Sequence, residues 1–107
     1  EPALEAFTTH ALRDTPTGSV ELKCAPELEA TIFSTMPSQL WSRMRRIPVP
    51  TLLLHGRETM PFVAVGCARA QRHNPSQVHV QVTAGGHCFM QQDPADAAAR
   101  VRAHLMG

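Results

Sequence analysis

The chain has 107 residues, of which 43% are hydrophobic and 18% charged, and its formal net charge is +1. This composition is ordinary for a folded protein and excludes a wholly disordered chain. The sequence has neither a basic stripe with interleaved aromatic residues nor an apolar run of the ~20 residues that a membrane span needs, so we expect no nucleic-acid or membrane partner.

The N-terminal part predicts a helix followed by a short extended segment. Apolar residues at helical spacing indicate a helix over residues 2–12. A cluster that contains Pro and Gly predicts a turn over residues 14–19. Apolar and charged residues then alternate over residues 20–24, which indicates a short extended segment.

Two further helices are predicted before residue 47. Pro26 suits the first turn of one of them, and Pro37 ends it. Ser38 is the predicted N-cap of a shorter helix, which holds Leu40, Trp41 and Met44. We therefore expect residues 1–46 to be mostly helical.

The pattern changes to alternating strands and helices from residue 47 onward. The nearly all-apolar run over residues 49–54 predicts a strand buried on both faces, and residues 60–72 predict a helix. Alternating valines predict a second strand over residues 78–82. A final helix is expected over residues 94–105, with Asp93 as its N-cap. This order predicts an α/β fold with parallel strands.

Two strands do not make a stable parallel sheet, because both faces and both edges of such a sheet need cover. The chain also begins with Glu1 rather than Met. We therefore expect it to be part of a longer domain that supplies most of the sheet. The predicted organisation is a mostly helical segment over residues 1–46 and a strand-helix-strand-helix segment over residues 47–107.

The cysteine and histidine spacings indicate neither a disulfide framework nor a metal site. Cys24, Cys67 and Cys88 are odd in number and widely spaced, which favours a reducing, cytoplasmic compartment. The sequence contains no C-x-x-C, H-x-x-x-H or H-E-x-x-H pattern. We therefore expect no metal and no cofactor.

Two sequence blocks resemble the C-terminal end of the α/β-hydrolase fold. Residues 47–56 (IPVPTLLLHG) are similar to the penultimate strand of that family, and residues 84–87 (AGGH) are similar to the loop that presents its catalytic histidine. The pair Asp93-Pro94 matches the start of the family's final helix. Upstream, residues 22–30 (LKCAPELEA) resemble the end of the cap region in a bacterial group of these hydrolases.

The resemblance implies that His87 acts as general base toward a serine-type nucleophile and then as general acid. No Gly-x-Ser-x-Gly occurs in the chain, so the nucleophile and the oxyanion hole are expected outside it. The family usually has Asp three residues after the turn glycine, where this chain has Thr59. Glu58 is the only carboxylate in the turn and is therefore the predicted acid. An acid that lies upstream, or that the site has lost, remains an open alternative.

Two neighbouring residues resemble catalytic groups without having that role. His55 precedes the turn glycine, where the family commonly has a histidine that transfers no proton, so a structural role is expected. Cys88 follows the proposed catalytic histidine, and we expect it to pack as a small, partly buried side chain.

The resemblance implies hydrolysis of an ester, epoxide or carbon–carbon bond in a small-molecule substrate. The alternative is a non-catalytic α/β-hydrolase-like domain that binds a ligand or a protein, which Thr59 at the acid position favours. A third interpretation is a truncated product without activity. We expect the chain alone to be inactive and prone to self-association, because it needs the N-terminal part of the hydrolase domain to complete its fold.

Overall fold

The computed structural model describes residues 2–35 and 37–107, which form helices together with short strands. The fold is mixed α/β, as predicted, and it contains a small parallel sheet. The chain divides into two compact units, Glu1–Ser38 and Gln39–Gly107. No helix in the described residues is long and apolar enough to cross a membrane.

The first unit consists of two helices that flank a β-hairpin. Its elements, in chain order, are α1 (Pro2–Ala11), β1 (Leu12–Asp14), β2 (Val20–Leu22) and α2 (Pro26–Ser34). The two strands pair antiparallel, and Arg13 Nε contacts Glu21 Oε1 across them at 2.7 Å.

The predicted helix over residues 2–12 is one residue too long, because Leu12 begins β1. Leu12 pairs with Leu22, and the N–H of Lys23 donates to the carbonyl of Ala11 at 2.8 Å. Helical periodicity could not reveal this pairing, since the partner strand lies beyond the turn. The turn itself is where the sequence predicts it, and Gly18 takes a φ of +80°, a conformation that favours glycine.

The second unit contains the parallel strands. Its elements, in chain order, are α3 (Leu40–Met44), β3 (Thr51–Gly56), α4 (Pro61–His73), β4 (Val78–Thr83), α5 (Phe89–Gln92) and α6 (Pro94–Met106). The strands pair parallel from Thr51 opposite Val78 to Gly56 opposite Thr83. The predicted strand-helix-strand-helix order is therefore confirmed, with the short helix α5 added before α6.

The predicted strands and helices of this unit differ from the observed ones by one or two residues at several ends, and two of the differences have a physical cause. Strand β3 begins at Thr51 rather than residue 49, because Pro50 has no N–H and the first pairing bond runs from the Thr51 N–H to the Gln77 carbonyl, at 2.7 Å. Ser38 does not cap α3. The N-cap is Gln39, in a left-handed conformation with a φ of +63° and no side-chain capping bond.

Helix α3 lies against the C-terminal end of α4. The buried Asn74 side chain donates to the carbonyls of Met44 and Ile47, at 3.0 and 3.1 Å. The Trp41 ring stacks on His73 with 5.5 Å between centroids, and the Arg69 guanidinium lies 4.2 Å from the Trp41 ring centroid. These contacts make α3 a structural part of the second unit.

The contacts around His73 predict a pH-dependent stability. Burial and then the positive charges of Arg45, Arg69 and Arg72 lower the pKa of His73. In addition, Arg45 Nε donates to the ring Nδ1 at 3.1 Å, which requires that nitrogen to be unprotonated. The unfolded chain therefore binds a proton at a higher pH than the folded chain does, so the free energy of unfolding should fall as the pH drops through ~6.5.

The measurement is the urea midpoint of the protein at about pH 8 and about pH 5.5. Part of the decrease between the two pH values should disappear in His73→Gln, because glutamine does not titrate. His79→Gln is the matched control, since His79 lies exposed on β4. An equal decrease in the wild type and in His73→Gln would contradict this prediction.

The buried core of the second unit is small. Its buried apolar side chains are Ala70, Val78, Phe89 and Ala97, while Leu105 is 75% exposed and Val101 is 45% exposed. An apolar groove lies between β3 and α6, and it is lined by Leu52, Leu54, Val101 and Leu105 among others. Strands and helices of this type normally bury such side chains against further elements.

Candidate functional site

The turn after β3 and the loop after β4 lie side by side because the two strands are parallel. Parallel strands end at one edge of the sheet, where α/β folds commonly bind ligands. The pairing continues beyond the strands. The N–H of Arg57 donates to the Thr83 carbonyl at 2.8 Å, and the N–H of Glu58 donates to the Gly85 carbonyl at 3.0 Å.

Gly56 allows the turn and the loop to approach each other. An ideal Cβ on Gly56 would lie 2.1 Å from the Gly86 carbonyl oxygen and 2.4 Å from that of Gly85. Both obstructing atoms belong to the backbone, so a side-chain rotation does not relieve the clash. Only glycine fits at the end of β3 while the loop keeps this position.

The loop that carries His87 is shaped by Gly85 and held by Gln92. Gly85 has a φ of +99°, which residues with a Cβ rarely adopt. The Gly86 N–H donates to Gln92 Oε1 at 2.9 Å, and Phe89 is buried beneath the loop. His87 itself is exposed. Its ring is thus presented to solvent by a loop with fixed ends.

The His87 ring contacts Thr59 rather than Glu58. Thr59 Oγ1 lies 3.0 Å from the ring Nδ1. Both Glu58 and His87 lie in the described part of the chain, and neither a hydrogen bond nor an ion pair joins the Glu58 carboxylate to the ring. Glu58 is exposed. Its role as the acid therefore stays a prediction that no contact supports.

Sequence reasoning had one signal for Thr59, namely its position three residues after Gly56. The resemblance assigns that position to an aspartate, and because this chain has threonine there, the neighbouring carboxylate of Glu58 is the predicted acid. The backbone places the two side chains differently. The Thr59 N–H donates to the Gly56 carbonyl at 3.2 Å, and its side chain is directed at His87.

The described residues bring neither a serine nor a cysteine side chain to the His87 ring. Within residues 2–35 and 37–107, the hydrogen-bond partner of the ring is Thr59. Cys88 is exposed at the N-cap of α5, so the prediction that it is partly buried is wrong. Burial raises the pKa of the Cys67 thiol, which disfavours its reactive thiolate form. A serine or cysteine nucleophile for this ring must therefore come from outside the described residues.

His55 lies nearby in the sequence but is buried away from this chemistry. Its Nδ1 is 2.9 Å from the carbonyl oxygen of Gly56, so Nδ1–H donates to that oxygen. This bond fits the structural role that the sequence predicts. No group of three or more His, Cys, Asp or Glu side chains in the described residues is arranged to hold a metal ion.

A polar cluster anchors α6 behind the site. The buried Thr83 hydroxyl donates to Asp96 Oδ2 at 2.6 Å, and Arg100 Nε donates to the same oxygen at 2.7 Å. These bonds, first that of Arg100 and then that of Thr83, lower the pKa of Asp96. Asp93 caps α6 as predicted, by accepting the Asp96 N–H at 3.0 Å. The cluster fixes α6 to the end of β4, just before the loop that carries His87.

Comparison with known proteins found no family model, no curated protein and no solved structure that matches the chain.

Proposed function

We propose that the chain is the C-terminal part of an α/β-hydrolase and supplies its catalytic histidine, His87. The observation that carries the proposal is the 3.0 Å contact between Thr59 Oγ1 and His87 Nδ1. The position to which the resemblance assigns the orienting acid is the one whose side chain contacts the ring. In a hydrolase, Nδ1 is held by the orienting group, and Nε2 exchanges protons with the nucleophile and the leaving group.

The strand edges support the proposal that a larger sheet continues beside β3. The outer edge of β4 is partly occupied, because the Val80 N–H donates to Gln71 Oε1 at 2.6 Å. Alternate residues of β3 form the hydrogen bonds to β4, beginning with Thr51, so the N–H groups of Leu52 and Leu54 point away from β4. Neither N–H has a hydrogen-bond partner among the described residues. An unpaired strand edge of this kind is a template for another strand.

The N-terminal part of the proposed hydrolase domain would supply that strand and cover the apolar groove between β3 and α6. Without it, the uncovered groove favours self-association. We also propose a cytoplasmic location, which the unpaired state of Cys24, Cys67 and Cys88 supports. The proposed reaction is hydrolysis of an ester, epoxide or carbon–carbon bond in a small molecule.

A non-catalytic binding domain of the same fold is the second candidate. The observation in its favour is that the His87 ring contacts an uncharged hydroxyl. A carboxylate at that position would stabilise the imidazolium that forms during hydrolysis, and a hydroxyl does so less. In a binding domain, His87 would contact a ligand without exchanging a proton.

The test is hydrolysis of p-nitrophenyl esters by the full-length protein, together with labelling by a fluorophosphonate, which reacts with activated serines. We expect a serine outside residues 1–107 to be labelled, and both hydrolysis and labelling to be lost in His87→Ala. His79→Ala is the matched control, since His79 is exposed on β4, and it should retain both. Undiminished hydrolysis by His87→Ala would overturn the proposal, and absence of labelling and hydrolysis in the wild type would favour the binding domain.

The purified 107-residue chain should not hydrolyse p-nitrophenyl acetate faster than free imidazole at the total concentration of its 6 histidines. The reason is that the described residues bring neither a serine nor a cysteine to His87, and the sequence holds no Gly-x-Ser-x-Gly. Absorbance of released p-nitrophenolate measures the rate. Faster turnover by the chain that disappears in His87→Ala would contradict this expectation.

A further inference from the structure

Thr59 is the polar side chain that the fold brings to the His87 ring. It is half-buried in the turn after β3, and its N–H closes that turn on the Gly56 carbonyl at 3.2 Å. Its Oγ1 lies 3.0 Å from Nδ1 of a ring that is otherwise exposed. The turn and the loop are also linked through the backbone, by the bond from the Glu58 N–H to the Gly85 carbonyl. The relative position of hydroxyl and ring is therefore set by the strand ends.

A hydroxyl and a carboxylate differ in which tautomers of the imidazole ring they allow. A carboxylate only accepts, so it requires a proton on Nδ1 and leaves Nε2 free to act as a base. A hydroxyl that accepts from Nδ1–H gives the same tautomer. A hydroxyl that donates to Nδ1 instead leaves the proton on Nε2, and that tautomer does not accept a proton from a nucleophile. When the ring is protonated, both nitrogens donate and the hydroxyl accepts.

We propose that Thr59 is the positioning residue of His87, so that the site uses a hydroxyl where an orienting acid would otherwise stand. The inference rests on the proposed hydrolase function. In this arrangement Thr59 Oγ1 accepts from Nδ1–H and holds Nε2 toward the nucleophile. It stabilises the imidazolium by a dipole rather than a charge, and bonds with a charged partner are roughly twice as strong. A Thr59→Asp replacement should therefore stabilise the imidazolium more strongly than the hydroxyl does.

The first arm of the test measures the ring directly, in full-length protein labelled with 15N-histidine. The His87 signals are identified by their loss in His87→Gln, and their chemical shifts report which nitrogen carries the proton. We expect the wild type, Thr59→Ser and Thr59→Asp to favour Nδ1–H. Thr59→Val removes the hydroxyl at nearly constant volume and should move the proton toward Nε2. An unchanged tautomer ratio in Thr59→Val overturns the proposal, whatever the activity.

The second arm measures kcat and KM for p-nitrophenyl ester hydrolysis. Loss of one neutral hydrogen bond predicts a decrease in kcat of about five- to tenfold in Thr59→Val, with KM nearly unchanged. Thr59→Ser should stay within about twofold of the wild type, because it keeps the hydroxyl. Thr59→Asp should raise kcat by about tenfold. A wild-type kcat in Thr59→Val, with His87→Ala inactive, overturns the positioning role and leaves the hydrolase proposal intact.

The two arms separate the failure of the inference from that of the proposed function. If the tautomer ratio changes in Thr59→Val while no variant, His87→Ala included, alters hydrolysis, Thr59 positions the ring but the ring is not the catalytic base. If Glu58→Gln changes the tautomer ratio and Thr59→Val does not, the orienting group is Glu58 and the inference is wrong.

Discussion

Gly56→Ala is expected to destabilise the full-length protein by about 3 kcal/mol or more, at the upper end of what overpacking costs. The added Cβ would lie 2.1 Å from the carbonyl oxygen of Gly86 and 2.4 Å from that of Gly85. Neither oxygen can move without shifting the loop that carries His87. The bond from the Glu58 N–H to the Gly85 carbonyl would break with that shift. The change should therefore lower stability and also separate His87 from Thr59.

Gly66→Ala is the matched control, because Gly66 lies inside α4 and a Cβ there meets nothing within 4 Å. Replacing a glycine in a helix interior should stabilise the protein by roughly 0.5–1 kcal/mol. Urea unfolding of both variants gives the two free energies of unfolding. A Gly56→Ala protein as stable as the wild type, with the His87 ring signals unchanged, would show that the loop does not pack on Gly56 as described.

Local sequence patterns predict the regular secondary structure of the second unit well. The apolar run before Gly56 and the alternating valines of β4 identify both parallel strands, because strand periodicity and burial are written into consecutive residues. The final helix was found through Asp93 and Pro94, a cap and a first-turn residue that are neighbours in sequence. These features depend on a few adjacent residues, and a sequence displays them directly.

Features that depend on distant partners cannot be predicted from local sequence patterns. Leu12 belongs to β1 rather than α1 because it pairs with Leu22 across the hairpin, and no local sequence pattern predicts that pairing. The sequence predicts Gly56 as the glycine of the turn that follows the strand. Its second role, to admit the Gly85 and Gly86 carbonyls, exists only once β3 and β4 lie side by side. Tertiary contacts between segments that are far apart in sequence decided both cases.

The candidate site shows the same division between local and distant information. His87 follows two glycines at the end of a strand, so its placement on a loop was predictable from neighbouring residues. The choice between Glu58 and Thr59 was not, because adjacent residues in a turn direct their side chains differently. The charge of its carboxylate makes Glu58 the predicted partner of His87. The backbone of the turn directs the hydroxyl at the ring.

If the proposed hydrolase function holds, His87→Ala in the full-length protein should lower kcat for ester hydrolysis by about 10²- to 10⁴-fold, the usual contribution of a general acid–base group. The variant should fold normally, because His87 is exposed and its side-chain hydrogen bond is to Thr59. His79→Ala removes another exposed histidine from the same region of the chain and should leave kcat unchanged. Equal loss in both variants would indicate a general structural effect rather than catalysis.

Glu58→Gln decides whether the carboxylate in the turn takes part. If Glu58 is the acid, the variant should lose kcat strongly without losing stability, because the imidazolium would lose its charged partner. From the contact with Thr59 we expect kcat to stay within about twofold of the wild type, since removing an exposed charge that does not touch the ring changes little. Steady-state kinetics on Glu58→Gln, Thr59→Val and His87→Ala, prepared side by side, give the comparison. If Glu58→Gln and Thr59→Val both retain full activity while His87→Ala abolishes it, the acid lies outside this turn, and the orienting partner of His87 must come from elsewhere in the protein.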